Sequence, residues 1–300
     1  MGCSPDADAD KRSHTHRMSE IRVNGVSLYY EEQGAGAPIV CIHGTGSSAI
    51  LWAEAAAELA KRGRTIVYDR RGFGRSERPE PYETNVHQHT DDAVALIDAL
   101  EAAPAIVIGR SQGGEIAVDL AVRYPDRVRA LALLEGGGFS LSEAFVRWQA
   151  ELLQHLIAAA ETEVSSVGET MFRRVLGDDG WDGMPDPVKQ VFIANSPAIL
   201  AEERGGVLAV SAEELGTIAQ PTLLVGAKDS LPEFVGVTNL MAEAMPHAKV
   251  EWVEGGHLIN PAHPSVLEFV DEVVAGPASP VRGGDGRRGG VRAAVESRRG

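Results

Sequence analysis

A serine stands between two glycines where an apolar run gives way to a helical pattern. Residues 105–108 are apolar, the sequence GRSQG occupies positions 109–113, and residues 115–123 have helical spacing. A serine in this strand–turn–helix context is typical of a nucleophile elbow, which needs small residues two positions before and after it. We therefore predict Ser111 as a nucleophile, and a simple helix-capping serine is the structural alternative.

A hydroxyl nucleophile needs a base, and the base needs an acid to orient it. His257 follows the predicted strand 249–253, and Asp229 follows the predicted strand 221–225. In strand–helix folds of this kind, the three groups follow one another as serine, acid and histidine. We predict Asp229 as the acid and His257 as the base, with Glu135 and His263 as the second choices.

Backbone N–H groups that stabilise an oxyanion are expected next to the serine. One comes from the residue after the nucleophile, Gln112, and one from the loop after an early strand. The sequence HGTG at positions 43–46 follows the apolar run 38–42, so Thr45 is the second predicted donor. His43 is interpreted as a brace of this loop rather than as the base.

The elements that must position these groups alternate between strand and helix. Apolar runs predict strands at residues 38–42, 65–68, 105–109, 128–134, 221–225 and 249–253, after an opening hairpin of residues 21–23 and 26–30. Helical spacing occurs at residues 53–62, 90–100, 115–123, 235–245 and 265–274. The pattern predicts an α/β fold with a mostly parallel eight-stranded sheet and helices on both faces.

The alternation stops between the strands at 128–134 and 221–225. Residues 139–210 contain helix-like stretches, such as 142–160 and 187–194, but no clear strand, so we predict a helical cap inserted in a core of residues 18–138 and 211–275. The terminal segments 1–17 and 276–300 are polar and are predicted to be disordered, the second being basic.

The charge and composition of the chain disfavour several classes of function. The formal net charge of −15 over 300 residues disfavours a nucleic-acid partner, which would need a basic surface. Cys3 and Cys41 do not suggest a disulfide framework or a metal site, and no apolar run is long enough for a membrane span. Without a secretory signal pattern, the predicted location is the cytoplasm.

These motifs together resemble the α/β-hydrolase superfamily. The resemblance rests on His43-Gly44, the sequence DRRGFGRS at 69–76, the Ser111 turn, Asp229 and Gly256-His257, and covers residues 21–276. It is strongest to small bacterial esterases, lactonases, haloperoxidase-like enzymes and carbon–carbon bond hydrolases. Arg110 departs from the histidine often found there, and Ser111 excludes the aspartate-nucleophile dehalogenases and epoxide hydrolases.

The sequence thus predicts a serine hydrolase that cleaves a small-to-medium carboxylic ester or lactone, with no cofactor, no metal and no nucleic-acid or membrane partner. A β-diketone carbon–carbon hydrolase, a cofactor-free haloperoxidase or perhydrolase, and a non-catalytic binder are the alternatives. The oligomeric state stays open. Large apolar side chains of the cap are the candidate substrate contacts, with a separate cap core as the other interpretation: Trp148, Leu152, Phe172, Trp181 and Phe192.

Overall fold

The computed structural model describes residues 16–276. The first 15 residues and residues 277–300, where most of the predicted leader and tail fall, lie outside this range. Arg17 was predicted to belong to the leader but is the first residue of the first strand. The opening hairpin is longer than predicted, and its turn is made by Asn24 and Gly25, both with positive φ.

Eight strands form one sheet, which confirms the predicted fold class. They are β1 (Arg17–Val23), β2 (Val26–Gln33), β3 (Pro38–Ile42), β4 (Arg64–Tyr68), β5 (Ala105–Arg110), β6 (Val128–Leu134), β7 (Thr222–Ala227) and β8 (Lys249–Val253). Their order is β1-β2-β4-β3-β5-β6-β7-β8. Strand β2 runs antiparallel to β1 and β4, and the remaining pairs are parallel.

Ten helices accompany the sheet within the described range. They are α1 (Ala53–Leu59), α2 (Val86–Ala99), α3 (Gln112–Arg123), α4 (Glu143–Thr162), α5 (Ser166–Asp182), α6 (Asp186–Ala194), α7 (Ser196–Gly205), α8 (Ala212–Gly216), α9 (Pro232–Ala244) and α10 (Pro264–Ala275). Among them, no helix is both long and apolar enough to cross a membrane.

The central strands read as continuous apolar runs because both of their faces are covered. In β5, Ile106 and Ile108 pack into the cluster that contains α1 and α10 side chains. Val107, between them, joins the larger cluster on the other face, with side chains from α2, α3 and the cap. Two hydrophobic layers therefore hold β5 rigidly and fix where its last residue lies.

Helix α2 begins earlier than its apolar spacing suggested. Asn85 caps it, because its side-chain oxygen accepts a hydrogen bond from the Gln88 N–H. Asp91 and Asp92, at the start of the predicted helix of residues 90–100, therefore lie in the second turn of α2. Asp92 instead forms a two-bond ion pair with the buried Arg71, of the motif at 69–76.

The segment between β6 and β7 is helical and follows the carboxyl end of β6. A short 3-10 turn at Phe139–Leu141 leads into α4, and α5 to α8 follow. Gly177 interrupts α5 with φ 74° and ψ 167°, so the axis of this helix breaks there. Sequence spacing had identified α4 and α6 but not α5 or α7.

Candidate active site

Ser111 forms the sharp turn between β5 and α3. Its φ is 55° and its ψ is −124°, a conformation that is strained for a residue with a side chain. Its N–H donates to the carbonyl of Leu134 at 3.0 Å, which ties the turn to the end of β6. The side chain of Ser111 lies in the wall of a cavity under the cap.

The two flanking glycines are required by close backbone contacts. A Cβ on Gly109 would lie 2.3 Å from the carbonyl oxygen of Gly113, and one on Gly113 would lie 2.1 Å from that of Ile42. These distances are far below a van der Waals contact. The small residues two positions on either side of Ser111 therefore have the steric reason that the sequence pattern implied.

His257 enters the same cavity from the loop after β8. Its Nδ1 lies 2.8 Å from Oε2 of Glu135, which follows β6. An ionised carboxylate can only accept a hydrogen bond, so this contact favours the neutral tautomer in which Nδ1 donates and Nε2 carries the lone pair. The Phe234 ring stacks on the imidazole, with centroids 4.0 Å apart.

The structure places Glu135, the second choice for the acid, against His257, and it shows no hydrogen bond between Asp229 and the imidazole. Asp229 is exposed, and its carboxylate accepts a hydrogen bond from the Gly255 N–H at 3.1 Å. The backbone of the two residues is also paired, since the Asp229 N–H donates to the Gly255 carbonyl. These two hydrogen bonds tie Asp229 to the loop that leads to His257.

Glu135 is held in place by two further donors. The Ala227 N–H donates to Oε1 at 2.9 Å, and the Ser230 hydroxyl donates to Oε2 at 2.7 Å. The residue is 2% exposed and has a positive φ of 43°. A buried carboxylate with three hydrogen bonds is well suited to fix the orientation of an imidazole.

Thr45 and Gln112, the predicted oxyanion donors, both line the cavity beside Ser111. Within the described residues, neither backbone N–H donates to a protein acceptor. Gly44 lets this loop approach, because a Cβ there would lie 2.9 Å from the Arg110 carbonyl oxygen. Two free N–H groups next to a nucleophile can stabilise a developing oxyanion.

His43 braces the loop that carries Thr45. Its Nδ1 lies 2.8 Å from the Gly44 carbonyl oxygen, and its Nε2 accepts from the Arg70 N–H at 3.0 Å. Burial, followed by the nearby Arg70 charge, keeps the pKa of His43 well below its usual value. His43 is therefore a neutral residue with both ring nitrogens engaged, as its interpretation as a brace requires.

The cavity is narrow and largely apolar. Its empty volume is about 580 Å³. Four of the five predicted substrate contacts, Trp148, Leu152, Phe172 and Phe192, lie in its wall. These side chains give the cavity an apolar surface beside Ser111.

Trp181 is the predicted contact that does not reach the cavity. It is buried within the cap, where the Lys189 ammonium lies 5.8 Å from its ring centroid. The break of α5 at Gly177 explains this, because residues beyond it no longer continue the face that carries Met171, Phe172 and Val175.

Several lining residues were missed by the sequence analysis. On α4, Phe145 and Gln149 share a face with Trp148 and Leu152, a spacing that could have identified them. The remaining missed residues come from elements whose faces are set only by packing: Phe139, Met171, Val175, Glu203, Phe234 and Leu258. Within residues 16–276, no group of His, Cys, Asp and Glu side chains is arranged to hold a metal ion.

Arg110 connects the nucleophile turn to the histidine loop. Its guanidinium donates to the carbonyl of Ile259 at 3.2 Å and lies 5.5 Å from the Trp52 ring centroid. Burial lowers the pKa of Arg110 to about 10, so it remains charged at neutral pH. Arg110, which stands where the superfamily often has histidine, thus places a cation in the wall of the cavity.

The family model described as alpha/beta hydrolase fold matches residues 37–264. The chain belongs to the α/β-hydrolase family. This α/β-hydrolase is 30% identical over 261 residues to a putative carbamate hydrolase RutD of Azorhizobium caulinodans, covering 80% of the chain and 91% of the relative.

Of two further similarities, one covers only part of the sequence and the other concerns only the fold. A 2-hydroxymuconate semialdehyde hydrolase of a Pseudomonas species is 43% identical, but over 124 residues, which are 40% of the chain and 44% of that enzyme. A thermophilic esterase from Thermogutta terrifontis superimposes with a TM-score of 0.71 at 22% identity, over 86% of the chain and 99% of the esterase, a likeness of fold alone. The named relatives are hydrolases, and the chain is a hydrolase enzyme of this family.

Proposed function

We propose that this α/β-hydrolase cleaves a small-to-medium carboxylic ester or lactone through an acyl-enzyme on Ser111. One observation carries the proposal. A serine on a strained turn and a histidine oriented by the buried Glu135 line a single apolar cavity, together with two free N–H groups.

In the first half-reaction, the Ser111 oxygen attacks the carbonyl carbon and its proton passes to Nε2 of His257. Glu135 holds the Nδ1 proton and stabilises the imidazolium. The N–H groups of Thr45 and Gln112 bind the oxyanion, an interaction for which each donor is typically worth about 3–4 kcal/mol. His257 then gives its proton to the leaving alkoxide, which departs as the alcohol.

In the second half-reaction, water attacks the acyl carbonyl and gives one proton to His257. The tetrahedral intermediate collapses with release of the Ser111 oxygen, which recovers that proton, and the carboxylic acid leaves. A lactone follows the same steps, except that alcohol and acid remain in one product molecule.

Labelling with a fluorophosphonate probe tests the nucleophile. Wild-type protein should react at Ser111, and Ser111→Ala should lose both labelling and ester hydrolysis by about three orders of magnitude or more. Ser19→Ala, on the outer strand β1, is the matched control and should behave as wild type. Hydrolysis by Ser111→Ala at the wild-type rate would overturn the proposal.

A second candidate is hydrolysis of a carbon–carbon bond next to a carbonyl, which can use the same three groups. The 43% identity to the 2-hydroxymuconate semialdehyde hydrolase favours it over the 124 matched residues. The loss of absorbance of 2-hydroxymuconate semialdehyde, compared with the hydrolysis of short esters and carbamates, would separate the two. A kcat/KM for the semialdehyde above that for every ester would favour the second candidate.

A further inference from the structure

Glu203 places an acidic group in the wall of the largely apolar cavity. It belongs to α7, is 7% exposed, and lines the same space as Ser111 and His257. Its Oε2 accepts a hydrogen bond from Nε2 of Gln149, on α4, at 3.2 Å. Within the described residues, no basic side chain forms an ion pair with Glu203.

The neighbouring acid, Glu202, differs in this respect. It is paired with the buried Arg70 and lies 3.3 Å from Nε2 of His89. The third acid nearby, Glu115 of α3, accepts from the Leu208 N–H and is fully buried. Neither of them lines the cavity, and among the described lining residues Glu203 alone carries a carboxyl group.

Burial, and then the charge of Glu202, raise the pKa of Glu203 to about 7. A buried carboxyl group lowers the stability of the folded protein when it ionises. A glutamine at position 203 could keep a hydrogen bond to Gln149 without this loss of stability. Perturbed acids in a cleft are concentrated at functional sites. The positions of Glu203 and Gln149 need a reason beyond folding.

We propose that Glu203 and Gln149 form a subsite that binds a hydrogen-bond donor of the substrate, a hydroxyl or a protonated amino group outside the reacting ester. The subsite presents the free Oε1 of Glu203 and the carboxamide oxygen of Gln149, both of which accept hydrogen bonds. The aromatic walls contributed by Phe145 and Trp148 hold the intervening carbon chain. This inference rests on the proposed ester hydrolysis and specifies its substrate class.

Matched methyl esters test the subsite. Methyl butanoate is compared with its 3-hydroxy, 3-amino and 3-methoxy derivatives, and the set is repeated with the substituent moved along pentanoate and hexanoate chains. In at least one position, the hydroxy or amino ester should exceed the methoxy ester in kcat/KM by about 10- to 100-fold, the range expected for a hydrogen bond to a charged acceptor. The separate responses to hydroxyl and amine identify which donor is bound.

Glu203→Gln should reduce the ratio of kcat/KM for the amino ester to kcat/KM for the unsubstituted ester about 10-fold or more. Gln149→Met should weaken the preference in the same direction and serves if Glu203→Gln does not fold. Glu161→Gln, on the exposed face of α4, is the control and should keep the wild-type ratio. Because the preference is a ratio of kcat/KM values for two esters and one variant, an effect on both esters alike cancels.

The ratio should also depend on pH. In the wild type, the preference for the amino ester should grow as the pH rises through about 7, because Glu203 becomes ionised. In Glu203→Gln, the ratio should stay flat. An absence of donor preference at every position, or a preference unchanged by both substitutions, would overturn the subsite while ester hydrolysis stands. An absence of hydrolysis of every ester would instead contradict the proposed function.

Discussion

The side chains of His257 and Glu135 meet at 2.8 Å although 122 residues separate them in the chain. They meet because β6 and β8 lie on either side of β7, so the loops after the two strands meet at one edge of the sheet. The Ala227 N–H and the Ser230 hydroxyl, from the β7 end between them, complete the contact with Glu135. The carboxylate that contacts His257 therefore follows β6, and residues at the end of β7 support it.

Glu135→Gln should lower kcat for ester hydrolysis by about 10³- to 10⁴-fold, because an amide cannot hold the Nδ1 tautomer and stabilise the imidazolium. Asp229→Asn keeps the shape of the exposed loop residue and should change kcat by less than about threefold. Steady-state kinetics of the two variants check this pair. A large loss in Asp229→Asn with little loss in Glu135→Gln would restore the acid first predicted from the sequence.

Gly113→Ala should destabilise the fold by more than about 2 kcal/mol, because its Cβ would lie 2.1 Å from the Ile42 carbonyl oxygen. Activity should fall as well, since relief of the clash must move the Ser111 turn. Gly236→Ala is the matched control, because no atom lies within 4 Å of the added Cβ and the position is inside α9. It should be neutral or stabilising by up to about 1 kcal/mol in urea unfolding.

Phe172→Ala should shift the preference towards longer acyl chains. Phe172 stacks on Phe192 at 3.7 Å in the cavity wall, so its removal widens a narrow space. The measurement is the ratio of kcat/KM for octanoate and butanoate esters. Trp181→Phe, buried outside the cavity, should lower the melting temperature but leave this ratio unchanged. A changed ratio in Trp181→Phe would show that the tryptophan acts on substrate after all.

The stability of the protein should respond to the titration of Glu203. Its pKa is raised to about 7 in the folded state, so the folded protein keeps a proton that the unfolded chain has lost. This contribution is fully present below the unfolded pKa of about 4.5 and is lost as the pH rises to about 7. In urea unfolding, Glu203→Gln should gain stability relative to wild type by up to about 3 kcal/mol between pH 4.5 and 8. A constant difference across this range would contradict the raised pKa.

Strand positions and the order of elements could be predicted closely from the sequence. The predicted bounds of the strands at 38–42, 128–134 and 249–253 agree with the structure, because buried parallel strands are short, apolar and bounded by loop residues. The turn at Ser111 was equally accessible, since its glycines leave a steric signature. Both features depend on residues that are adjacent in the chain, so the sequence alone indicates them.

The choice between Glu135 and Asp229 could not be made in this way. Both acids follow apolar strands, and only the packing of β6 beside β7 decides which carboxylate reaches the imidazole. Trp181 shows the same limit, because one residue with positive φ, Gly177, changed the face that the helix presents. Pairings between distant segments and breaks within a helix leave little local pattern.

The position of Glu135 also constrains how this enzyme can be redesigned. Gly136, the next residue, lies so close to the serine turn that a Cβ there would be 2.2 Å from the Ser111 carbonyl oxygen, and the cap begins three residues later. A chimera that exchanges the cap for that of a relative would be spliced within a few ångströms of the charge partner of His257. Its first junction should therefore follow Gly138, so that the graft alters the pocket and leaves the proton-transfer groups intact.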